Sequence, residues 1–74
     1  QTLVADILAP HVSNLIDVLA VGSVVASGDW VATIGVLDDE HHVFASIAGE
    51  VAKIFSEKDT FLEYGSRILS ISEQ

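Results

Sequence analysis

Residues 22–34 read GSVVASGDWVATI and residues 59–71 read DTFLEYGSRILSI, so that Gly22 matches Asp59, Val25 matches Leu62, Gly28 matches Gly65, Val31 matches Ile68 and Ile34 matches Ile71. A turn former, an apolar residue, a glycine and a short apolar strand recur in the same order at a constant offset of 37 residues. Two halves of the chain are therefore copies of one unit. A solenoid needs at least three repeats to bury its faces, so two copies predict a pseudo-twofold unit in which each copy covers the apolar face of the other. Such an arrangement leaves few free sheet edges. The architecture expected is all-β: a flattened eight-stranded barrel-sandwich hybrid with a pseudo-twofold internal repeat.

Outward from the repeat, runs rich in Val, Ile, Leu and Phe recur every eight to twelve residues between Gly, Ser, Asp and Asn, the pattern of many short strands. Strands are expected at 3–8, 13–19, 24–26, 30–36, 40–46, 49–55, 61–63 and 67–72. The segment from Val12 to Val21 also fits a helical period through Val12, Leu15, Ile16 and Leu19. Its β-branched content and the Ser13-Asn14 start favour a strand. Gly22, Gly28, Gly49 and Gly65 are expected as structural turns.

The chain has 74 residues, 50% of them hydrophobic, with no Cys, and nothing divides it into parts. One domain over 1–74 is expected, held by packing without disulfides or a zinc–cysteine site. A domain this small has little core to spare for an enclosed catalytic pocket, so the chain is not expected to be an enzyme. Eleven acidic residues against three basic ones give a formal charge of -8. That sign disfavours nucleic acid and anionic membranes as partners. The longest apolar stretch, Val18 to Ala26, is broken by Gly22 and Ser23 and is too short to span a bilayer, so no membrane insertion is expected. No basic segment precedes an apolar run at the start, which predicts a chain without a signal or transit peptide in view.

Four short motifs carry a resemblance. Ala9-Pro10-His11-Val12, the stretch Val21-Gly22 to Gly28-Asp29, Ala48-Gly49-Glu50-Val51, and Leu62-Glu63-Tyr64-Gly65-Ser66-Arg67-Ile68 occur in this order. Together they resemble the biotinyl and lipoyl carrier domains, above all the biotin carboxyl carrier domain of acetyl-CoA carboxylase. The respective family patterns are (A/S)-P-M-x-G, V-G-x-x-V-x-x-G-D, S-G-x-V and V-E-(F/Y)-x-x-x-L. The short link from Val12 to Gly22 implies that the protruding thumb of some bacterial carriers is missing.

The resemblance breaks where the family does its chemistry. Its hairpin tip reads E-A-M-K-M, with the lysine accepting biotin, and the matching residues here are Gly35, Val36, Leu37, Asp38 and Asp39. Asp38 takes the lysine position. A carboxylate cannot act as the amine that attacks an acyl-adenylate, so no biotin or lipoate cofactor is expected at this tip. Lys53 and Lys58 are expected on a strand and in a turn away from it, as solvated surface charges. Three successive carboxylates, Asp38, Asp39 and Glu40, repel one another and any anionic substrate by about 1 kcal/mol per close pair in water. Such a tip is unsuited to entering a biotin carboxylase active site.

The run Asp38-Asp39-Glu40-His41-His42 also invites a metal reading. Strand alternation sends Glu40 and His42 to one side and Asp39 and His41 to the other, leaving too few converging ligands, so no metal site is expected. His11 is expected to be packed or half-exposed, and no hydroxyl is placed beside an oriented base. Trp30 is open to two readings, partner anchor or core filler.

The resemblance implies a carrier-like subunit without biotin, of the kind seen in the biotin attachment domain-containing proteins of plastid acetyl-CoA carboxylase. Its role in fatty acid biosynthesis would be regulatory or structural, its partner a biotin carboxylase or a genuine carrier subunit, its location the cytoplasm or plastid stroma. Two alternatives stand beside it: a barrel-sandwich packing module of a larger protein, such as a membrane-fusion adaptor or a redox-complex subunit, and a biotin carrier with an altered tip.

Overall fold

A computed structural model describes residues 3–73; Gln1, Thr2 and Gln74, within the single domain expected over 1–74, lie outside the described residues. Eight strands follow in order: β1 (Val4–Leu8), β2 (Ser13–Val18), β3 (Val24–Val25), β4 (Trp30–Val36), β5 (Asp39–Phe44), β6 (Gly49–Ile54), β7 (Phe61–Leu62) and β8 (Arg67–Ser72). They form two four-stranded antiparallel sheets, β1-β8-β6-β3 and β5-β4-β2-β7, with no helix among the described residues. The sheets face each other as a flattened barrel-sandwich and, among the described residues, do not join into one closed ladder.

Each sheet takes two strands from each copy. β1 and β3 of the first copy share a sheet with β6 and β8 of the second, while β2 and β4 share theirs with β5 and β7. The copies are interleaved, so neither can bury its apolar face alone. Backbone hydrogen bonds repeat the symmetry closely. Gly28 N donates to Ala45 O and Gly65 N donates to Ala9 O, both at 2.9 Å; Ala45 N donates to Asp29 O and Ala9 N donates to Ser66 O, both at 2.8 Å. Equivalent residues lie 37 apart in β3–β4 and β7–β8 but 36 apart in β1–β2 and β5–β6, as Ala9 and Ala45 show. The link Phe55–Thr60 is one residue longer than Leu19–Ser23 and takes up the difference.

The core lies between the sheets. Leu15, Val31, Ile34, Val51, Leu62, Ile68, Leu69 and Ile71 are fully buried, with Ile7, Ala9, Val25, Ala32 and Ala45 around them. Burying a Val, Leu or Ile side chain contributes about 1.5–3 kcal/mol, and with no disulfide this packing supplies the stability. The central strands β4 and β8 each bury four successive residues, Val31–Ile34 and Ile68–Ile71.

Pairing shifts at equivalent places in the two copies. β4 carries an extra residue, Val31, against β5, and β8 carries Ile68 against β1. β2 carries Ile16 against β4, and β6 carries Ala52 against β8. Each bulge reverses the alternation of faces along its strand.

Gly22, Gly28 and Gly65 have φ of 94°, 90° and 82°, the left-handed region that favours glycine. Gly49 differs from the turn expected there and opens β6. It is a position of close approach: a Cβ would fall 2.2 Å from the Ser72 carbonyl oxygen.

Candidate functional site

The hairpin between β4 and β5 presents the acidic tip. Val36 pairs with Asp39, leaving Leu37 and Asp38 as a two-residue turn. Leu37 has φ of 57° and is 100% exposed. Hairpin turns usually give such a position to Gly or Asn. A leucine there costs on the order of 1 kcal/mol and receives nothing back from packing. Asp38, at the second turn position, is also exposed, as are Asp39, Glu40 and His41. Val36 departs from the exposed tip expected over residues 36–39, because its side chain packs against the core.

His11 is exposed rather than packed; its ring lies 5.9 Å from that of His41, which brings the loop after β1 beside the hairpin. Among the described residues no three His, Asp or Glu side chains gather into a metal-holding group. Lys53 lies on β6 and Lys58 in the turn before β7, both exposed and both outside the sheet that carries the tip.

A second feature lies lower on the same hairpin. Trp30, Thr33, His42 and Phe44 line a shallow depression on the outer face of the sheet β5-β4-β2-β7. Trp30 Nε1 donates to Thr33 Oγ1 at 2.8 Å, and Thr33 Oγ1 lies 3.1 Å from His42 Nδ1. The His42 and Phe44 rings are 6.4 Å apart. Trp30 is half-buried and Phe44 is 54% exposed, so Trp30 is neither core filler nor fully free. Simple alternation puts Trp30 and Thr33 on opposite faces; the extra residue Val31 brings them together. No sequence signal marks the cluster, since the extra residue leaves the apolar pattern of the strand intact.

No protein-family model matches the sequence, and no curated protein matches it. Solved structures do. A single-chain, multi-domain long-chain acyl-CoA carboxylase contains a segment of the same fold, with a TM-score of 0.90 and 13% identity over 96% of this chain and 7% of its own. The urea carboxylase of Kluyveromyces lactis contains another, with a TM-score of 0.84 and 27% identity over 93% of this chain and 6% of its own. An ectoine utilization protein from Ruegeria pomeroyi matches with a TM-score of 0.75 and 19% identity over 93% of this chain and 22% of its own. In length the chain thus corresponds to a small part of each. The carrier-domain resemblance drawn from its motifs is accompanied, in three dimensions, by likeness to a segment of two carboxylases.

Proposed function

We propose that this is a carrier-like domain of a biotin-dependent carboxylase that bears no biotin and acts as a structural or regulatory part of the assembly, without catalysis of its own. The observation that carries this reading is Asp38 at the second position of the hairpin turn, where the resemblance places the biotin-accepting lysine. The likeness to segments of an acyl-CoA carboxylase and a urea carboxylase supports it. A domain that keeps the carrier's shape and loses its acceptor competes with the genuine carrier for the same docking surfaces. By mass action it lowers the fraction of biotin presented to the enzyme.

The test has two arms. After co-expression with a biotin ligase, intact mass is expected to show the unmodified chain; a stoichiometric adduct on Lys53 or Lys58 overturns the reading. Mixed with a biotin carboxylase and a biotinylated carrier, the chain is expected to co-purify with one of them. Failure to bind at micromolar concentration, where the genuine carrier binds, transfers support to a packing module within a larger chain.

A further inference from the structure

The pseudo-twofold relates two outward-facing sites that the chain fills differently. In the sheet β1-β8-β6-β3, Asp6 stands opposite Ser70 and Leu8 opposite Arg67. The equivalent positions in the other sheet are His42 opposite Thr33 and Phe44 opposite Trp30. Ser70 and Thr33, the central residues of the two sites, are both buried. The first site holds a cation of the chain itself: the Arg67 guanidinium sits 4.3 Å from the Phe55 ring centroid and 3.9 Å from Asp6 Oδ2. In the second, the residue at the arginine position is Trp30. No Lys or Arg occurs on any strand of that sheet or anywhere before Lys53.

We infer that Trp30, His42 and Phe44 form a docking platform for an arginine side chain presented by a partner protein. Two observations converge on that occupant. The platform offers aromatic rings, and Trp is the strongest partner for a cation held over a ring face. Register places two carboxylates on the same face, Asp17 opposite Thr33 and Glu40 opposite Gly35, so the charge of the incoming group is complemented. A planar, weakly hydrated guanidinium stacks on such rings better than an ammonium does, which selects Arg over Lys. Trp30 is oriented in advance by its bond to Thr33, so docking forfeits little side-chain freedom.

Trp30 is the single tryptophan of the chain, so its emission reports on the platform directly. The probe is an acetylated, amidated octapeptide of alternating Arg and Gly, titrated at low ionic strength against its Lys counterpart. The Arg peptide is expected to change Trp30 emission saturably and to bind about threefold more tightly than the Lys peptide. Phe44→Ala is expected to weaken the Arg peptide about threefold and to reduce the preference over Lys, while Tyr64→Ala, at a separate depression beside Leu8 and Pro10, leaves both unchanged. If Phe44→Ala fails to fold, Phe44→Leu keeps apolar cover while removing the ring and must show the same loss. Equal binding of the two peptides, or a folded Phe44 variant that binds as the parent does, reduces the effect to net charge and overturns the inference. Amide shifts in a nitrogen-edited spectrum that centre on Leu8 and Tyr64 instead of Trp30 overturn it equally.

Discussion

Leu15 and Val51 occupy the same place in the two copies. Leu15 N donates to Thr60 O at 2.8 Å and its carbonyl accepts from Asp59 N at 2.7 Å; Val51 N donates to Ser23 O at 2.8 Å and its carbonyl accepts from Gly22 N at 2.9 Å. Both side chains are fully buried. Each therefore fastens the turn of the opposite copy while filling the space between the sheets, and a change at either is felt by both copies.

Leu15→Ala is expected to destabilise the domain by about 2–5 kcal/mol, the usual cost of truncating a fully buried leucine. A domain of this size has a total stability of roughly 4–11 kcal/mol, so the variant should stand at the edge of folding. Urea denaturation followed by circular dichroism reads the change. Val21→Ala, at an exposed position, should shift the midpoint by no more than about 0.5 kcal/mol equivalent.

Leu37→Gly is expected to raise stability by roughly 0.5–1 kcal/mol, because it releases a left-handed leucine that packs against nothing. Thermal and urea midpoints should rise together. A fall in both would mean that the leucine side chain supports the hairpin through the denatured state or through contacts made in solution.

Gly49→Ala and Gly35→Ala separate two kinds of crowding. At Gly49 the new methyl meets the Ser72 backbone oxygen at 2.2 Å, and backbone cannot retreat without breaking β-ladder bonds, so a loss of about 2–3 kcal/mol is expected. At Gly35 the nearest atom is Ile16 Cδ1 at 3.0 Å, the end of a flexible chain, and the loss should stay under about 1 kcal/mol. Equal losses would contradict the geometry.

Replacing Val36, Leu37, Asp38 and Asp39 with Ala, Met, Lys and Met tests the placement of the tip. A biotin ligase is expected to label this variant and not the parent, read by mass and avidin shift on folded protein. Val36 packs against the core, so its truncation should cost about 1 kcal/mol, within the usual range for a single substitution. A variant with an unchanged circular dichroism spectrum that stays unlabelled at high ligase would refute the match between Asp38 and the lysine position.

All eight strands were legible in the sequence, with ends displaced by at most two residues, as at Phe44 where the expected strand ran to 46. Alternating Val, Ile and Leu between turn formers suffices for that, because a strand's existence depends on local pattern. The bulges were not legible. Inserting Val31 or Ile16 into a strand leaves the residue pattern intact and changes only which face follows, a property set by the neighbouring strand. That is why Trp30, Thr33, His42 and Phe44 did not emerge as one cluster, and why Gly49 read as a turn although the demand on it comes from Ser72, distant in sequence. The tip was the most legible part of the candidate site, since a hairpin turn is local; the left-handed Leu37 within it was not, because nothing in a leucine announces that conformation.

The pairing of β1 with β8 bears on how the domain responds to tension. Val4, at the start of β1, faces Ser72, at the end of β8, so the chain enters and leaves the fold within one strand spacing. A force applied through polypeptide attached at both ends meets this pair at its open end and breaks its bonds singly, as a zipper opens, instead of loading them all at once in shear. Peeling β1 exposes one edge of β8, whose other edge is held by β6, and leaves β4 and β5 with their bonds to each other. Under such a pull the first sheet would loosen while the hairpin carrying Asp38 kept its shape.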